Sequence, residues 1–167
     1  GDSSTSVEIS TGGSIIGAAH SHPVGVYAIP SFGDLKWLLD CHQRVPNFRK
    51  KDVFTIIVCE DFAGVKSTYA IKISNLSDFM NKINTLWNDS ELSQLGEKEK
   101  LKILNDRQGE ECKKTNGQYG QLEKSFLQMY SGFGFDLLKA TNNNLDNWVT
   151  LKLDSSAPTG VKSIPCN

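Results

Sequence analysis

The chain has 167 residues, 38% of them hydrophobic, which is enough to bury a core as a single domain without staples. Its 18 Lys+Arg almost cancel 19 Asp+Glu, so no global field points to a nucleic-acid or membrane-surface partner and any substrate is expected to be recognised locally. No stretch approaches the roughly 18 consecutive apolar residues of a membrane span, and the start Gly1-Asp2-Ser3-Ser4-Thr5-Ser6 lacks the basic-then-apolar layout of a signal peptide.

A soluble chain is therefore expected, with compartment and oligomeric state open. The start without Met fits a mature fragment or a domain excised from a larger or secreted protein. Cys41, Cys59, Cys112 and Cys166 show no C-x-x-C spacing, which argues against a cysteine zinc site. Cys41 and Cys59 sit in apolar segments and read as buried core thiols, whereas Cys166 is expected to be exposed.

In chain order, Val7-Glu8-Ile9 is a short alternating piece followed by the turn-like Thr11-Gly12-Gly13, which suggests a hairpin. Ser14 to His22 reads as a buried strand stopped by Pro23, because proline cannot donate to a ladder. Val24 to Pro30 is a loop. Ser31 then opens a helix, with Leu35, Leu38 and Leu39 at helical spacing, that runs to about Val45 before Pro46.

The β-branched run Val53 to Cys59 predicts a central strand, Glu60 to Gly64 its turn, and Ser67 to Ile73 an alternating neighbour. From Asn75 to about Lys139 the composition is polar and helical, with helices expected near 77–87, 97–111 and 118–129. Ser131-Gly132-Phe133-Gly134-Phe135 is a break or turn, and the aromatics around it, from Phe126 to Phe135, are expected in the core. Asn147 to Leu153 closes with a strand. The class is α+β, with a core of about 7–74 plus the strand 147–153, and a helical insertion or extension over about 75–140.

The chemistry concentrates in His20-Ser21-His22-Pro23, followed after seven residues by Ser31 and then Asp34. Residues two apart on a strand share a face, so His20 and His22 can bind one ion while Ser21 points away. Imidazole suits zinc, and a catalytic zinc site takes three protein ligands plus water, with Asp34 in the first turn of the next helix placed to be the third. The same Ser31-x-x-Asp34 spacing also fits a helix capping box. His42, further along that helix, reads as a packing or surface residue.

At every defined position this run resembles the signature of the JAMM (MPN-plus) metalloproteases. The match covers this stretch and a compatible strand-helix-strand-strand order through Ile73. The resemblance implies a cytidine-deaminase-related mixed sheet flanked by helices, Zn2+ held by His20, His22 and Asp34, and cleavage of a peptide or isopeptide bond in a protein or peptide substrate, ubiquitin-like proteins included. It further implies a water activated by the metal and a glutamate base, with Ser31 helping to hold the oxyanion.

In the family that glutamate lies on an earlier strand, usually farther upstream than the nineteen residues preceding His20 allow. Glu8 is the only glutamate among them and the first candidate. Asp2 is a poorer one near the terminus, and Glu60, at the end of the Val53 to Cys59 strand, is a rival; a base outside this chain is the remaining alternative. The competing functional class is a non-catalytic MPN-type scaffold that retains a metal site, or a closed structural site.

Overall fold

The computed structural model describes residues 14–22, 27–61, 63–114 and 121–166. The expected hairpin through Gly12-Gly13, including Glu8, lies outside these residues.

Among the described residues six strands form one sheet in chain order: β1 (Gly17–Ser21), β2 (Phe54–Glu60), β3 (Lys66–Ile73), β4 (Phe135–Ala140), β5 (Trp148–Leu153) and β6 (Val161–Pro165). β1 runs parallel to β2 and every other pair is antiparallel. The parallel pair needs a crossover. It is supplied by helix α1 (Phe32–Arg44) and a short 3-10 turn, Asn47–Asp52. Between β3 and β4 come three more helices, α2 (Leu76–Trp87), α3 (Glu97–Lys113) and α4 (Gln121–Met129). None among the described residues is long and apolar enough to cross a membrane.

Alternation along the strands sets the layers. Ile57 and Cys59 of β2, Tyr69 and Ile71 of β3, Leu137 of β4 and Leu151 of β5 are all buried. They share one hydrophobic cluster with Leu35, Leu38 and Leu39 of α1, Phe79 and Ile83 of α2, Leu104 of α3 and Phe126 of α4. At about 1.5–3 kcal/mol for each fully buried large apolar side chain, this cluster dominates the stabilisation of the fold. The intervening residues occupy the opposite face, where Ala19, Ile56, Ala70, Leu138, Thr150 and Ile164 fall in one register row across the whole sheet.

A buried carboxylate beside the cluster is paired across it. Glu123 of α4, 8% exposed, accepts from the Tyr69 hydroxyl at 2.9 Å and from Lys139 Nζ at 2.7 Å. A buried carboxylate is tolerated only with such partners, and these pin α4 to the middle of the sheet.

The helical reading of about 75–140 holds for α2, α3 and α4 and fails at its end, where residues 135–140 form β4. Leu, Lys and Ala favour helix in isolation, but Phe135 to Ala140 is captured between β3 and β5, and pairing on both sides overrides propensity. The preceding break is a turn as expected: Gly134 adopts φ +72°, and a Cβ there would stand 2.4 Å from the Asn75 carbonyl oxygen. That carbonyl starts α2, and Gly134 itself accepts the amides of Ser74 and Asn75, so the turn locks β4 to the start of α2. β6 was not anticipated either; Val-Lys-Ser-Ile-Pro carries the Lys and Pro of an edge strand rather than a strong apolar alternation.

Candidate metal centre

β1 and β2 run side by side, and the site forms just beyond their carboxyl ends, where open α/β crevices place ligands. Parallel pairing sets His20 level with Ile57 and Ser21 level with Val58. Ile57 is buried in the core and Val58 is exposed, so His20 lies on the helix-covered face and Ser21 on the other. His22 follows with its amide donating to the Val58 carbonyl at 2.9 Å. Both imidazoles therefore face the start of α1, with ring centroids 5.2 Å apart.

Ser31 is the N-cap of α1 and Asp34 the third residue of its first turn. Asp34 Oδ2 reaches back to accept the Ser31 amide at 2.7 Å and the Ser31 hydroxyl at 2.9 Å. This is the acid half of a capping box, with Asp in the Glu position. The same carboxylate meets both histidines, Oδ1 at 2.9 Å from His20 Nε2 and Oδ2 at 3.3 Å from His22 Nε2. Capping and contact with both histidines thus fall on one side chain, so the two sequence readings of Asp34 are compatible.

Asp34 is 5% exposed. Burial on its own pushes the carboxyl up, yet the hydrogen bonds from His20 and His22, the charge of His22 and the Ser31 amide together hold it well below the usual carboxylate range. The site therefore keeps an anionic oxygen donor beside two imidazole nitrogens. One potential ligand atom from each of His20, His22 and Asp34 lies within 4.8 Å of the others, and no further His, Cys, Asp or Glu among the described residues joins them.

Two imidazoles and a carboxylate are a borderline-soft donor set suited to zinc. Bonds of about 2.0–2.1 Å in a tetrahedral arrangement put ligand atoms about 3.3 Å apart; the His22 Nε2–Asp34 Oδ2 separation of 3.3 Å matches this, and the 2.9 Å between His20 Nε2 and Oδ1 is shorter. The residues present fit the ion. His20 Nδ1, the nitrogen that usually orients a ligating ring through a second partner, is buried without a hydrogen bond among the described residues.

The remaining candidates separate clearly. Ser31 is brought to the triad. Glu8 lies outside the described residues. Glu60 ends β2 on the face of Ile56 and Val58, opposite the histidines; its Oε2 is 3.8 Å from Lys66 Nζ and its Oε1 lies over the Gly64 turn. The structure does not bring Glu60 to the triad.

His42 is buried on α1, its pKa lowered by burial and by Lys50, and it is not part of the cluster. Cys41 and Cys59 are buried and Cys166 is exposed, as the sequence implied. Burial, and then the nearby Asp34 charge, push the Cys59 thiol up to about 12, and Cys59 is not among the residues that converge on the triad.

Sequence reasoning missed what supports the loop before Ser31. Gln108 of α3 donates to the Pro30 carbonyl at 2.6 Å and accepts the Tyr130 hydroxyl at 2.8 Å. The Gln108–Pro30 pair is separated by 78 residues, and no local pattern signals it. Comparison with family profiles, with curated proteins and with solved structures finds no match to this chain.

Proposed function

We propose that this chain is a zinc-dependent hydrolase of the JAMM type, cleaving a peptide or isopeptide bond in a protein or peptide substrate, ubiquitin-like conjugates among the candidates. The observation that carries the reading is the convergence of His20, His22 and Asp34, with Ser31 on the same carboxylate, from two separate elements. That three candidate protein ligands converge among the described residues also agrees with it, since catalytic zinc sites keep a fourth position for water whereas structural sites close it. The β1–α1–β2–β3 order agrees with a cytidine-deaminase-related core.

Zinc bound here supplies Lewis acidity, lowering the pKa of coordinated water to about 7 and polarising a carbonyl oxygen. His20 and His22 provide neutral nitrogen donors on one strand face. Asp34 provides the anionic donor, its Oδ2 also accepting the Ser31 amide at 2.7 Å. The Ser31 hydroxyl, which donates its one hydrogen to Asp34 Oδ2 in the resting site, would turn that hydrogen to the oxygen of the scissile carbonyl as negative charge develops there, leaving the Ser31 amide on the carboxylate. Glu8 is assigned as the general base that takes a proton from the attacking water and returns it to the departing amine. Glu60 is disfavoured by its position on the far face of the sheet.

The test is hydrolysis of a panel of peptide-bonded and lysine-isopeptide-linked protein conjugates by the zinc-loaded chain. Cleavage that is lost with His22→Ala and falls about 100-fold or more with Glu8→Gln supports the assignment, in line with the rate contribution of a positioned acid-base group. Stoichiometric zinc binding without hydrolysis of any conjugate would overturn it in favour of a metal-retaining scaffold.

A further inference from the structure

One side of α3 lies along the loop that delivers Ser31. A Cβ at Gly109 would stand 3.7 Å from the Tyr27 ring, Asn105 Oδ1 accepts the Gly33 amide at 3.4 Å, and Gln108 Nε2 donates to the Pro30 carbonyl at 2.6 Å. The other end of the Gln108 amide accepts the Tyr130 hydroxyl at 2.8 Å. Gln108 is 6% exposed and Tyr130 2%. A buried amide is costly unless both ends are bonded, and an apolar side chain of similar volume would fill the space without that risk. A buried glutamine bonded at both ends of its amide therefore fixes a direction, not merely a volume.

The direction it fixes is that of one peptide plane. The Pro30 carbonyl and the Ser31 N–H belong to the same planar, trans unit, so holding the oxygen from one side aims the N–H to the other. That N–H is the one donated to Asp34 Oδ2 at 2.7 Å. The plane is thus clamped at both edges, by Gln108 on the oxygen and by Asp34 on the nitrogen. Tyr130 is held in turn by aromatic contacts, edge-on to Phe126 at 4.9 Å and to Phe133 at 5.1 Å.

We infer that Gln108, backed by Tyr130, is a positioning residue for Asp34, acting across the Pro30–Ser31 peptide to aim the carboxylate at the metal. This rests on the metal-centre reading above. It gives the helical segment between β3 and β4 a role in the chemistry that is independent of any substrate contact. Partners bonded directly to a ligand typically contribute roughly 10- to 100-fold to metal affinity, and Gln108, one peptide further out, is expected at the low end of that range.

The experiment uses the full chain, with Zn2+ and Co2+ alone as probes. Zinc affinity is measured by competition with a chelating dye, and the visible Co2+ spectrum reports ligand geometry. Gln108→Met, which keeps length and volume, is expected to weaken zinc binding about tenfold and to alter the Co2+ spectrum. Tyr130→Phe, which keeps the ring contacts, is expected to shift both readouts the same way by a smaller factor, and the double variant to bind no worse than Gln108→Met.

A merely structural Gln108 would lower the melting temperature and leave the affinity and spectrum of the folded protein unmoved; that result overturns the inference. Should Gln108→Met fail to fold, Tyr130→Phe decides alone by the same criterion. A wild-type chain that binds neither ion overturns the metal-centre reading and this inference with it. Wild-type binding with indifferent variants overturns this inference only.

Discussion

Asp34 does two jobs with one carboxylate: Oδ2 satisfies the Ser31 amide at the start of α1, while Oδ1 faces His20. Its suppressed pKa has a direct consequence for stability. A carboxyl held below its ordinary value of 3.8 contributes stability that is fully present above that value and is lost as pH falls through the lower, folded one. The metal-free chain is therefore expected to lose stability on the acid side, below about pH 4. Asp34→Asn removes the titrating group, so its stability should fall less steeply between about pH 4 and pH 2 in urea titrations. Parallel profiles for the two proteins would show that the depressed carboxyl contributes nothing to folding.

At the scale of elements, glycines at two joints behave oppositely. Gly109 lies inside α3, and a Cβ there would meet Tyr27 Cε2 at 3.7 Å, an ordinary contact. Gly109→Ala should therefore stabilise by about 0.5–1 kcal/mol, the usual gain of Ala over Gly inside a helix. Gly134 combines φ +72° with a Cβ position 2.4 Å from the Asn75 carbonyl oxygen, so Gly134→Ala should cost more than about 2 kcal/mol. Chemical denaturation of both variants checks the pair, and a neutral Gly134→Ala would contradict the account of the β4–α2 joint.

Elements with a strong period were legible in the sequence. Leu35, Leu38 and Leu39 marked α1, the run through Ile56 and Ile57 marked β2, and Ser31 marked the N-cap of α1. β4 was not legible, because Leu137, Leu138, Lys139 and Ala140 mix core-facing and outward positions in a helix-like composition that only pairing with β3 and β5 resolves. β6 likewise exists through its register with β5, Leu153 against Val161, rather than through its own pattern.

For the whole molecule, the site depends on one topological fact: β1 and β2 are parallel, so the crossover helix α1 begins where the histidine strand ends. Ligand spacing along the chain was readable because strand alternation and a first helical turn are local properties of His20, His22 and Asp34. The relation of the triad to α3 was not, since Gln108 reaches Pro30 only after the sheet and helices have packed. The position of Glu60 also needed the fold, because its face follows from the register of β2 with β1 and β3.

The central claim is that His20, His22 and Asp34 together hold one zinc ion. Anomalous scattering from zinc-soaked crystals at the zinc absorption edge tests it most directly. The account predicts a single strong peak per chain, within about 2.0–2.2 Å of one nitrogen of each histidine and one Asp34 oxygen, with no fourth protein ligand. A chain that takes up zinc elsewhere, or shows no peak between these three side chains, would contradict it.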